Sequence, residues 1–106
     1  MQKDVIFSED GGILTASIEC DVDHHTAKPM REKIDRRLFE SKPHTLVIDF
    51  SKVEFMDSSG LGLIIGRVEK ATLLNARVVL TGASPRIMKL INLSGIERIK
   101  HLSVVK

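Results

Sequence analysis

The chain has 106 residues, a formal net charge of +2 and hydrophobic side chains at 42% of its positions, enough for one packed core and too few for two domains of ordinary size. Its 16 basic and 14 acidic residues are interspersed, with no basic tail or stripe that would imply direct contact with nucleic acid. A single cysteine, Cys20, excludes an intrachain disulfide framework and a cysteine-pair zinc site, and no secretory pattern or apolar run of about 20 residues is present, so a soluble cytoplasmic protein without membrane contact is expected.

Residues 4–8 and 13–19 are predicted strands joined across EDGG, where Asp10 and Gly11 favour a tight reversal. After DVDHH, Ala27, Met30, Ile34 and Leu38 recur at helical spacing. Thr26 can cap this helix, Pro29 falls in its first turn, and the helix should run to about Glu40. SKPH breaks the pattern, and TLVIDF reads as a largely buried strand because β-branched and aromatic residues follow one another up to Asp49. The segment VEFMDSSGLGLIIGR then passes from a strand-like to a helix-like pattern, with Leu61, Ile64, Ile65 and Val68 as the stripe facing the sheet. ARVVLTG supplies another core strand. Ser84 as cap, Pro85 at the first helical position, Ile87, Met88 and Ile91 inside and Gly95 as a left-handed stop define a short helix, and residues 96–106 read as strand-like. The alternation predicts one α/β domain over residues 1–106, its later strands joined by right-handed crossovers.

The DSSGLG junction carries the chemistry. Asp57 or Ser58 can cap the following helix, while Gly60 and Gly62 remove side chains from its first turns. One reading is a capped helix packed closely on the sheet. The other is a phosphorylation switch: an exposed Ser58 hydroxyl at the positive end of a helix dipole, where a phosphate of about −1.5 to −2 charge would be tolerated by the fold yet would cancel a partner's contacts. Ser59 is the competing acceptor. GLGLIIG lacks a complete dinucleotide fingerprint, no Walker sequence is present, and MDSSG is not a GxSxG nucleophile elbow.

Asp21, Asp23, His24 and His25 raise the possibility of a metal, but adjacent histidines diverge, and a turn organised by Asp23 accounts for the cluster more simply. Arg86 and Lys89 read as a solvated helix face. Cys20, flanked by Glu19 and Asp21, is expected to be a packing residue whose acidic neighbours disfavour the thiolate.

FMDSSGLG followed by LIIGR, the upstream DHHTA and the later SPRIMKLINLSG together resemble the STAS family over nearly the whole chain, specifically the bacterial anti-sigma factor antagonists of sporulation type. The resemblance implies a single STAS-like α/β domain with a mixed sheet and helices mainly on one face. It also implies a binding protein, not an enzyme, with no cofactor of its own. Ser58 would be phosphorylated by an anti-sigma factor that is itself a serine kinase, and a phosphoserine phosphatase would restore the unmodified form that binds the kinase and releases its sigma factor. Asp23 is expected beside the acceptor; Asp57, Ser59 and Gly60 would shape the partner surface, and Gly62 would allow close approach. Two departures stand out. Cys20 replaces the glycine that commonly precedes the acidic residue, and the chain stops soon after HLSVVK where relatives often continue into another helix, so that helix is not expected here. A nucleotide-sensing STAS module is the alternative reading.

Overall fold

The computed structural model describes residues 4–105; the first three residues of the amino-terminal segment and Lys106, the last residue of the predicted terminal strand, lie outside them. The elements are β1 (Val5–Asp10), β2 (Ile13–Ile18), α1 (His24–Ser41), β3 (Thr45–Asp49), α2 (Ser58–Leu73), β4 (Arg77–Thr81), α3 (Pro85–Ser94), a 3-10 turn (Ile96–Arg98) and β5 (Leu102–Val104). The sheet runs β1-β2-β3-β4-β5, with β1 antiparallel to β2 and every later pair parallel. Because the parallel strands follow one another in chain order, right-handed crossovers carry all three helices to the same face. That face is the core: Leu14, Ala16, Ile18, Leu46, Ile48, Val78 and Leu80 point into it and are fully buried beneath Met30, Ile34 and Leu38 of α1, Ile64 of α2 and Ile91 of α3. The opposite face, with Thr15, Ser17, Val47, Asp49, Val79 and Thr81, is only half-buried.

The hairpin turns one residue later than the sequence suggests. Gly11 and Gly12 both have positive φ, 57° and 80°, the conformation that a two-residue loop between twisted strands requires, so Asp10 stays in β1. α1 starts earlier than expected: its cap is Asp23, not Thr26, which puts Pro29 in the second turn, on the exposed side. The helix ends in the left-handed Lys42, whose N–H donates to the Leu38 carbonyl, and Pro43 follows. In α2 the predicted stripe is rotated. Leu63 is buried beside Ile64 and Val68, whereas Ile65 is 37% exposed. α3 has the expected start and stop, with the Ser84 hydroxyl accepting from the Ile87 N–H and Gly95 at φ 76°. The terminal strand is shorter than predicted, because Ile96 turns inward to be buried and the chain makes a 3-10 turn before pairing with β4. Among the described residues no helix is long and apolar enough to cross a membrane.

One polar contact lies within the helical layer. Arg67 of α2 is 2% exposed, and its Nε sits 2.8 Å from Oδ1 of Asp35 on α1. Among the described residues neither atom is in a hydrogen bond and Arg67 Nη1 has no partner, so the contact is an ion pair. Burial pulls the Arg67 guanidinium below the ordinary arginine value; Asp35 opposes the fall and neighbouring Arg31 adds to it. Asp35→Ala would leave the buried cation unpaired and should destabilise the protein by about 2–4 kcal/mol, somewhat less than for a fully buried pair because the carboxylate is partly solvated. Asp35→Leu combined with Arg67→Met should recover most of that loss. Urea unfolding of the single and double variants measures both effects.

Candidate functional site

Two strand-to-helix loops meet at the carboxyl ends of β2 and β3. Val22 forms an isolated parallel bridge with Met56: its N–H donates to the Phe55 carbonyl at 3.0 Å, and its carbonyl accepts from the Asp57 N–H at 3.1 Å. Asp21 strengthens the junction, its Oδ1 accepting from both the Glu54 and Phe55 N–H groups at 3.0 Å. Four contacts thus fix the starts of α1 and α2 side by side. Nothing local in DVDHH singled out Asp21 as this clamp, because its partners lie far along the chain.

Asp23 caps α1 in a capping box. Its Oδ1 accepts from the His25 and Thr26 N–H groups at 2.8 and 2.9 Å, while Thr26 Oγ1 accepts from the Asp23 N–H and donates to the Asp21 carbonyl. The Thr26 N–H, foremost among these bonds, holds the Asp23 carboxyl below its ordinary value; desolvation pulls the other way, and the His25 N–H, the Thr26 hydroxyl and the His25 side chain add to the lowering. Asp57 caps α2, its Oδ1 accepting from the Ser59 N–H at 2.8 Å. The choice between Asp57 and Ser58 is therefore decided for Asp57. Ser58 is the first helical residue, exposed, with its hydroxyl in no hydrogen bond among the described residues.

The glycines have separate roles. Gly60 is buried, and a Cβ there would collide with the Met56 side chain, so it lets α2 settle on the junction and presents no surface. Gly62 is exposed, with nothing within 4 Å of where its Cβ would stand. Both lie inside α2, not in a loop ahead of it, and the Ser59 and Gly60 N–H groups are already committed to the Asp57 side chain and carbonyl. The first turn therefore offers fewer free amides to a phosphate than the sequence suggested.

Asp23, Asp57, Ser58 and Ser59 share one end of the molecule. Beside them a groove of about 570 Å³ runs between the two helices, lined from α1 by His24, His25, Ala27, Lys28, Pro29 and Arg31 and from α2 by Ser59, Gly62 and Leu63. Among the described residues no three His, Cys, Asp or Glu side chains converge as metal ligands. Cys20 packs against the core, and its thiol is pushed up by burial and then by Asp4, Asp21 and Asp23, against a smaller opposing effect of Lys33.

The STAS domain model matches residues 4–104. The anti-sigma F factor antagonist of Lysinibacillus sphaericus is 33% identical over 76 residues, 72% of this chain and 65% of the relative, so the match spans less than two thirds of that protein's length. The anti-sigma F factor antagonist of Paenibacillus polymyxa is 28% identical over 88 residues, 83% of this chain and 75% of the relative. Among solved structures, that of the Bacillus cell fate determinant SpoIIAA in its phosphorylated form superposes with a TM-score of 0.71 at 25% identity, covering 96% of this chain and 91% of that one.

Because Asp57 is the cap, Asp57→Ala should lower stability by about 0.5–2 kcal/mol. Ser58→Ala should stay within about 0.5 kcal/mol of wild type, and Ser58→Asp should be neutral or stabilising at the helix start. Thermal unfolding of the three variants gives the ranking. The Asp23 carboxyl is depressed in the folded state, so its contribution is present above the unfolded carboxylate value of 3.8 and is lost as pH falls through its lower folded value. Asp23→Asn should remove that part of the acid limb in a stability–pH series and leave the neutral-pH slope unchanged.

Proposed function

The chain belongs to the STAS domain family, and from that premise we propose that it is an anti-sigma factor antagonist switched by phosphorylation of Ser58. The observation that carries this reading is the placement of Ser58: exposed, first in α2, and relieved of capping by Asp57. A kinase can modify such a hydroxyl without dismantling the helix. In the unmodified state the protein binds its anti-sigma factor, a serine kinase, and frees a sporulation sigma factor in the cytoplasm. The kinase then transfers the γ-phosphoryl group of ATP, held in its own active site, to the Ser58 oxygen. The product carries about −1.5 to −2 charge next to the Asp57 and Asp23 carboxylates, which adds negative potential and bulk to a surface that had fitted a partner, and the complex dissociates. A phosphoserine phosphatase resets the switch.

The surface around the acceptor suits this use. Gly62 leaves room for another backbone, and Ile65 of α2 and Phe55, just ahead of the Asp57 cap in sequence, are apolar side chains 37% and 46% exposed. The chain works by being bound and released, so its own residues need perform no catalysis.

Ser58→Ala should fold, bind the anti-sigma factor and resist release when ATP is added. Ser58→Asp, with less charge than a phosphate, should bind about tenfold more weakly while remaining at least as stable. Calorimetric titration of both folded variants with the anti-sigma factor tests this, and equal affinities would remove the charge switch.

A further inference from the structure

The groove beside the switch is charged on one side only. Lys28 and Arg31 line it from α1, together with His24 and His25, and no acidic residue is among the groove's lining residues. Farther along the same helix, Lys33 is paired with Asp4, just ahead of β1, and Arg37 with Glu9 of β1. Lys28 and Arg31 make no ion pair among the described residues. For Arg31 the reason is specific. Asp35, one helical turn on, is the carboxylate positioned to neutralise it, yet Asp35 is engaged by the buried Arg67 at 2.8 Å. Arg31 is also close enough to Arg67 to disfavour that residue's charge. With Asp35 engaged by Arg67, Arg31 lines the groove beside Lys28 with no acidic residue among the lining residues. Its floor is apolar and open, with Ala27, Pro29 and Leu63 at the sides and unfilled space at Gly62.

We infer that this groove receives an acidic, amphipathic segment of the anti-sigma factor, carboxylates against Lys28 and Arg31 and apolar side chains against Ala27 and Leu63. The inference rests on the antagonist reading and adds to it a second contact, complementary in sign to the acidic caps around Ser58. A segment of alternating charge and apolar residues fits a groove with a basic wall and an apolar floor, whereas a nucleic acid would find no Phe, Tyr or Trp among the residues that line it.

The test is the doubly charge-reversed variant Lys28→Glu with Arg31→Glu, compared with wild type and with the charge-preserving variant Lys28→Arg with Arg31→Lys. Both substituted positions are exposed, so thermal unfolding should confirm that all three proteins fold. Calorimetric titration of the unphosphorylated variants with the anti-sigma factor at several salt concentrations should show affinity lowered by about tenfold or more in the reversed variant, with a flatter salt dependence, and altered by less than about twofold in the preserved one. Failure of wild type to bind the anti-sigma factor at all would overturn the antagonist reading and this inference together. Normal wild-type binding with unchanged affinity in the reversed variant would overturn the groove assignment alone. If reversal instead abolishes binding of a short DNA duplex and spares the anti-sigma complex, the occupant is nucleic acid and the inference is wrong.

Discussion

The architecture of the site depends on the tie between the β2–α1 and β3–α2 loops. Parallel strands alone would put both loops at one end of the sheet, but not in a fixed register. The Val22–Met56 bridge and the two amide bonds accepted by Asp21 set that register, and they hold the two helix starts together. Each helix is then capped by an aspartate of its own loop, Asp23 or Asp57. Two positive helix ends lie next to each other under two carboxylates, which compensate them locally.

This arrangement divides labour in a way suited to a switch. A serine that both capped the helix and accepted phosphate would couple modification to stability, since losing a cap costs about 1 kcal/mol. With Asp57 in the cap, the Ser58 hydroxyl caps nothing, so on the proposed reading modification would change what a partner meets and leave the cap in place. Gly60 acts from beneath: by giving way to Met56 it seats the first turn of α2, with Ser58 at its start, on the bridge. Farther down the helices, the Arg67–Asp35 pair fixes α1 against α2 where apolar packing alone would be less selective in register.

How much of this could be read from the sequence follows from how local each determinant is. α3 was legible in full because Ser84, Pro85 and Gly95 act within one turn of themselves. The strands were legible from their β-branched runs, and the start of α2 from the strand-to-helix junction at DSSG. The cap of α1 was not, since Asp21, Asp23 and Thr26 all carry suitable oxygens, and the assignment depends on amides of Glu54 and Phe55 that only the folded chain delivers. The rotation of α2 that buries Leu63 and exposes Ile65 is set by its contact with α1, which a single-helix pattern does not contain. Nothing in a single-helix pattern marks Arg67 as buried either, and the pairing of Arg67 with Asp35, on which the groove's charge depends, was equally out of reach.

The central claim is that the acceptor is the exposed first residue of α2 and not its half-buried neighbour Ser59, whose N–H is tied to Asp57. The most direct measurement is to incubate the protein with its anti-sigma kinase and ATP and to locate the phosphate by fragmentation mass spectrometry. The account predicts phosphate on Ser58 in the wild-type protein and none incorporated by Ser58→Ala. Phosphate found mainly on Ser59 or elsewhere, or undiminished incorporation by Ser58→Ala, would contradict it.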